Sequence, residues 1–498
     1  MKKLLLAFIF ILPLTLNAQN LTALEVHEVD SVATPRGGYS YLTTFINANL
    51  QIPYMAKIVK VNGYVSLAGV VDEEGKMSQI EVVRGIRPDC DKEAVRVFGL
   101  FNAWQTALKD GKKIRQKVTV RIPFKSKETI HFANGLQSDY LDDKFVKTED
   151  SLSRKYIQKT KIDTLTGFAI GDIEFLELKK NGKEKPYSVF HRKEEKIINY
   201  LPVYPEPLTD SSINRIRVKY VNATDKVVGV SFVLWENGHL QQQRYYDNNN
   251  ADYPFTTYYP NGVVRDFTDY IDSNMKIYET KSWYPSGQIA KIIQHETASP
   301  LYMMEAEKNK PRIFVINQWD ESGNQTVKNG EGNAIFQQYQ SGIFTETGTI
   351  KNFQKHGAWK GFYEESRVAY QEYFNNGVLE KGISYTEIDS VVYKSTSETP
   401  AEYQNGMQGF AKHLMTTLKY PSDAQRANTQ GTSYIQFVVC TDGSLCDYKV
   451  VKSAGWNTLD QEAIRVIKAS DGKWNPGVQR GRKVRSRFTI PISFSLSR

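Results

Sequence analysis

The sequence predicts an α+β protein in which two small helix–strand–strand–helix–strand modules flank a β-rich region of hairpin repeats. Three observations carry this expectation. A long, ordered series of landmarks near the N-terminus returns near the C-terminus. A shorter pattern of aromatic residues and glycine turns recurs between the two copies. Aromatics are also abundant, with 29 tyrosines, and large rings suit the pleated surface of a sheet. At 498 residues the chain has room for several domains, and 40% hydrophobic and 24% charged residues give it ordinary globular means to build cores.

The duplicated series opens with Pro53, Ala56 and Gly63 in one copy and Pro421, Ala424 and Gly431 in the other. Alternating runs follow, Tyr64 to Val71 and Thr432 to Val439, each leading to an acidic-Gly turn, Glu74-Gly75 or Asp442-Gly443. Return runs end in Val82-Val83-Arg84 and Val450-Val451-Lys452, so each pair predicts a hairpin. Asp91, Glu93, Ala94 and Arg96 then match Asp460, Glu462, Ala463 and Arg465, a second helix with the aspartates expected as N-caps. Trp104 or Trp474 closes the core beneath it. Gly111 or Gly481 precedes a final strand, Lys117 to Phe124 or Arg487 to Phe494. Ahead of each series Tyr41, Leu42, Phe45, Ile46 and Leu50, or Met407, Phe410, Ala411, Leu414 and Leu418, recur at helical spacing and stop at the proline. The copies are expected at 38–126 and 402–498, each about 90 residues and able to fold alone.

Residues 1–18 predict a cleavable signal peptide, with Lys2-Lys3, the apolar run Leu4 to Leu16, and Ala18 before Gln19. As a helix that run would reach roughly 20 Å, short of a hydrocarbon core about 30 Å thick. The chain is therefore expected in the periplasm or at the outer membrane, an uncleaved anchor being the alternative. The net charge of +9 is spread along the chain without a dense basic tract, which favours a solvated surface over a nucleic-acid face. Contact with peptidoglycan or an anionic membrane surface is an alternative role for that charge. Cys440 and Cys446 flank the Asp442-Gly443 turn, where a disulfide and two free thiols both fit, and Cys90 reads as a buried thiol.

Between the copies, 127–223 stays unassigned: Val146 to Lys161 is charged and weakly helical, Phe168 to Leu178 and Tyr187 to Phe190 suggest strands, and Tyr200 to Pro207 reads as a linker. From 224 to 386, turns end in glycine at Trp235-Glu-Asn-Gly238, Tyr259-Pro-Asn-Gly262 and Tyr284-Pro-Ser-Gly287, spaced by 24 and 25 residues. The pattern returns at Trp319 to Gly323 and Phe374 to Gly377. Stacked hairpins whose turns need positive φ are expected there.

No catalytic constellation is legible. The seven histidines are dispersed with no metal-ligand spacing, and CxxC, G-x-S-x-G and P-loop patterns are absent, so neither metal nor cofactor is expected. Ser273-Asn-Met-Lys276 matches S-x-x-K without the surrounding pattern of that enzyme class.

The series from Tyr420-Pro421 through Gly431, Asp442-Gly443, Val450-Val451, Glu462-Ala463, Trp474-Asn-Pro476-Gly477 and Gly481 to Pro491-Ile-Ser-Phe494 resembles the C-terminal domain of TonB proteins. The first copy resembles it too, departing at Ile52 and Thr106, and the glycine-turn units resemble MORN-type repeats. The TonB resemblance implies a non-catalytic periplasmic domain that takes an extended segment of an outer-membrane transporter beside its last strand. Backbone hydrogen bonds to an open sheet edge would supply much of the affinity. Carried onto this chain, the implied edge runs from Val484 to Ile492, with Val484, Arg485, Arg487, Thr489, Ile490 and Ile492 as its residues. In the first copy it runs from Ile114 to Ile122, with Ile114, Arg115, Lys117, Thr119 and Val120. Lys113, Arg121, Arg482 and Lys483 add positive charge nearby. An energy transducer of this family also keeps an inner-membrane anchor and a proline-rich spacer; here the N-terminal run is short and the prolines are scattered.

Overall fold

The computed structural model describes residues 23–179, 181–199, 213–247, 250–272, 277–296, 312–337, 343–363, 366–394 and 398–496. The stretch expected to be a signal peptide, the whole of Tyr200–Pro207 and the Ser273–Lys276 motif lie outside them. The chain divides into two compact units: residues up to 313 with 317–325, and 314–316 with 326–498.

Each unit contains one copy of the duplicated module. In the first, helix Tyr39–Asn49 buries Leu42, Phe45 and Ile46. Pro53, at φ −56°, does more than stop that helix: it opens a short second one, Tyr54–Ile58. Strand Asn62–Val71 lies in the middle of an antiparallel sheet, between Met77–Arg84 and Gln116–Lys125. Helix Pro88–Leu100 covers the sheet with Ala94, Val97 and Phe98. The second unit repeats the plan, with helices Gly406–Thr417, Ser422–Arg426 and Asn457–Lys468, central strand Gly431–Val439, and outer strands Leu445–Lys452 and Ser486–Phe494. The turn glycines are required in both copies. Gly75 and Gly443 have φ of 81° and 87°, and a Cβ on either would lie 2.3 or 2.5 Å from the carbonyl oxygen of Trp104 or Trp474.

The expected aspartate N-caps are corrected. The helices start at Pro88 and Asn457, so Asp91 and Asp460 stand inside the first turn. The preceding loop folds back over them and supplies their backbone donors. Asp91 accepts the Ile86 N–H at 3.0 Å, and Asp460 accepts the Ala454 N–H at 2.9 Å together with the hydroxyls of Ser433 and Ser453. Burial of Asp460 disfavours its charge, yet these three donors outweigh it and hold the pKa below the ordinary carboxylate value. A depressed pKa contributes stability that is present above the unfolded value, about 3.9, and is lost as pH falls through the folded one. Asp460→Asn should therefore cost about 1–3 kcal/mol at pH 7 and flatten the acid limb below roughly pH 5, as read by urea midpoints across pH.

Two features of the modules were not read from the sequence. Short segments ahead of each first helix pair with the segment after the tryptophan: Thr34–Pro35 with Trp104–Gln105, Glu402–Tyr403 with Trp474–Asn475, and Glu398–Thr399 with Gly477–Gln479. In addition, the region left unassigned at 127–223 contributes strands to a longer meander. Successive strands from His131–Ala133 through Ile289–Glu296 pair antiparallel, each with the next, so the meander runs through the expected boundary at 223/224 without a break. The stretch read as weakly helical turns at residues 151–153 and enters strand Tyr156–Ile162, where Tyr156 and Ile157 are buried.

The repeat period has a physical origin in this sheet. Gly238, Gly262 and Gly287 sit at φ 81–87°, closing turns in which each glycine N–H donates to the aromatic carbonyl three residues back. Neighbouring turns are laddered: Asn237 donates to the Pro260 carbonyl at 3.1 Å, Asn261 to that of Pro285 at 3.0 Å, and the Tyr259 hydroxyl to that of Trp283 at 3.0 Å. The first module rests on these turns. Asn49, 2% exposed, accepts the Val264 N–H at 2.8 Å, and Phe45 and Phe101 pack over Gly287. In the second unit, aromatics cover strand glycines directly across the ladder, Trp359 over Gly348 and Tyr393 over Gly382.

Candidate functional site: the outer edge of the closing strands

The closing strands Gln116–Lys125 and Ser486–Phe494 are each terminal in their three-stranded sheets. Which backbone groups they turn outward follows from their prolines. Pro491 lies opposite Tyr434 and Pro123 opposite Tyr64. Proline has no N–H, so a regular antiparallel ladder places it where backbone groups point away from the neighbouring strand. Arg487, Thr489, Pro491 and Ser493 then face outward, as do Lys117, Thr119, Arg121 and Pro123. The first module verifies this parity, because the Lys117 N–H donates away from its sheet to the Leu24 carbonyl at 3.0 Å.

The same alternation sorts the side chains. Arg487, Thr489, Pro491 and Ser493 are exposed, whereas Ile490, Ile492 and Phe494 are buried in the core and Phe488 packs on Trp474 with ring centroids 5.1 Å apart. Of the residues singled out from the sequence, Arg487 and Thr489 thus offer edge groups, and Ile490 and Ile492 hold the strand down. Val484 and Arg485 lie before this strand: Val484 ends the short strand Arg482–Val484 and pairs with Gly477. Likewise Ile114 belongs to Lys112–Ile114, opposite Ala107, and Arg115 to the bend that follows. Thr119 is exposed and outward, while Val120 packs against the core. The closing strands therefore start two residues later than expected, at 486 and 116, because the hairpins with tips at Arg480-Gly481 and Asp110-Gly111 use the residues before them.

Much of the nearby positive charge is already paired. Arg485 bonds Asp447, and Lys117 reaches Glu81 at 3.6 Å. Arg482 meets Asp389 at 2.8 Å, and its hydrogen bond, helped by Thr386, holds the Asp389 carboxyl below the ordinary range. Cys440 and Cys446 are joined by a disulfide across the turn, their Cα atoms 6.7 Å apart, and Cys90 is free and buried. Burial raises the Cys90 thiol pKa to about 11, so it stays protonated at neutral pH.

The hairpin preceding the second edge is anchored in the second unit's sheet. Arg480, at its tip, bonds Glu372 at 3.1 Å and lies 3.7 Å above the Tyr370 ring, while the Tyr393 hydroxyl donates to Glu372 at 2.7 Å. Glu372 is 3% exposed. The Ser384 hydroxyl donates to the Arg480 carbonyl at 2.8 Å. Sequence reading singled out Gly481 but missed its neighbour Arg480, since a lone arginine at a turn gives no sign of burial.

No helix among the described residues is long and apolar enough to cross a membrane, and no cluster of potential metal ligands is present among them. The family model described as Gram-negative bacterial TonB protein C-terminal matches residues 48–126 and 416–496. Both end modules are thus TonB C-terminal-like. Among solved structures, the NMR solution structure of the Helicobacter pylori TonB C-terminal domain, residues 179–285 of that protein, is 26% identical. That match covers 18% of this chain and 81% of that one, with a TM-score of 0.16. A second, of residues 194–285, is 28% identical over 18% and 91% of the two chains, with a TM-score of 0.15. No curated protein matches the chain.

Proposed function

We propose that this is an exported, non-catalytic envelope protein that takes extended segments of partner proteins by strand addition, in the service of transport across the outer membrane. The observation that carries this reading is the outer edge of Ser486–Phe494, terminal in its sheet within a TonB C-terminal-like module. Outer-membrane transporters are the partners the family relationship favours. An added strand would bond the Arg487, Thr489 and Ser493 N–H groups and the carbonyls of those residues and Pro491. The hairpin sheets would act as a rigid mount that holds each module, and the periplasmic face of the outer membrane is where such a mount is useful.

Site-specific photocrosslinking in the intact envelope tests this. A benzophenone amino acid at Thr489 should give adducts with outer-membrane transporters, through segments near their N-termini. The same probe at Lys449, an exposed residue on the opposite outer strand, should give at least about tenfold fewer. Equal yields from the two positions, or adducts confined to peptidoglycan or lipid, would count against strand addition.

A further inference from the structure

The two edges are not equally open. In the first module, Leu24 forms a parallel bridge with Gln116: its N–H donates to the Arg115 carbonyl at 3.0 Å, and its carbonyl accepts the Lys117 N–H at 3.0 Å. The short turn Val26–Glu28 continues against the same closing strand. The chain then folds back and fastens to the adjacent hairpin, where Asp30 and Ser31 donate to the Leu108 carbonyl at 2.9 and 3.1 Å and Leu108 donates to that of Ser31 at 2.9 Å. The Asp30 side chain accepts the Asp110 N–H at 2.6 Å. Ala33, 2% exposed, donates its N–H to the side chain of Gln116, which is itself fully buried.

By the duplication, Lys117 is the counterpart of Arg487. The donor that an incoming strand would meet first on the second module is therefore already taken on the first. Among the described residues, Ser486–Phe494 pairs with Gly431–Val439 alone. Both ladders share register and proline placement, so what separates them is the leader.

We propose that residues 23–32 serve as a built-in strand ligand of the first module, closing its edge and confining partner addition to the second. This rests on the strand-addition reading above. It implies one acceptor site per chain from two copies of the acceptor fold, and a second site whenever the leader is displaced or removed.

Amide hydrogen exchange on the full-length exported chain tests the proposal without any partner. The Lys117 amide should exchange about tenfold or more slowly than the Arg487 amide, its counterpart. In a variant lacking residues 19–28 the two should exchange alike, and a synthetic peptide of residues 20–30 added to that variant should restore protection at Lys117. Leu24→Pro, which keeps the fastened residues 29–36 but removes the N–H that Arg115 accepts, should act in the same direction. Unchanged protection at Val65 and Val97, both in the core, checks the fold of either variant. Equal exchange at Lys117 and Arg487 in the intact chain would overturn the proposal, as would protection at Lys117 that survives the deletion. The outcome is separable from the proposed function: crosslinking at Thr489 can fail while the leader still closes the first edge, and the reverse.

Discussion

Arg480→Ala is expected to destabilise the second unit by about 3–5 kcal/mol, because it leaves Glu372 as an unpaired buried charge. Glu372 is 3% exposed and would keep the Tyr393 hydroxyl as its donor after the change. The stacked face of Tyr370 would also lose its cation, a loss that acts in the same direction. Arg480→Lys should fall between, since an ammonium keeps the charge and loses the planar stack. Removing both charges, as Arg480→Met with Glu372→Met, should recover much of the loss, because a buried ion pair can be replaced by apolar groups at little net cost. Urea unfolding followed by tryptophan fluorescence reads these differences. A cost under about 1 kcal/mol for Arg480→Ala would show that Glu372 finds water or another donor. This anchor matters for the candidate site because Arg480 stands six residues before the closing strand, in the hairpin that leads into it.

The module fold was largely legible because its signals are local. Alternation, acidic-Gly turns and helical spacing lie within short windows, and the second copy repeats them in order. Tertiary choices were not legible. Asp460 looked like a helix cap, and only the backfolded loop with Ala454 shows that it serves the loop instead. The strands of 131–199 alternate weakly, and many of their charged side chains stay solvent-exposed, so their place in the meander is set by pairing with neighbours rather than by pattern. The leader at Leu24 carries no signal in a single sequence, since one parallel bridge needs no special residue. For the edge itself, the stretch singled out from the sequence, Val484 to Ile492, overlaps the closing strand Ser486–Phe494 and begins two residues before it. Pro491 was the missed clue, because its parity tells which groups face out.

That parity makes strand addition testable by two adjacent substitutions. Thr489→Pro removes an outward N–H and leaves the ladder to Gly431–Val439 intact, as Pro491 already does two residues on. Phe488→Pro removes an inward N–H and the ring that packs on Trp474 and Phe437, and should unfold the module. The most direct measurement is capture of transporters from solubilised outer membranes by the Thr489→Pro chain, with its urea midpoint checked against the parent. A folded Thr489→Pro chain should recover roughly 10–100-fold less partner, from the lost bond and the carbonyl left unsatisfied across the edge. Undiminished capture by that folded chain would contradict strand addition at Ser486–Phe494.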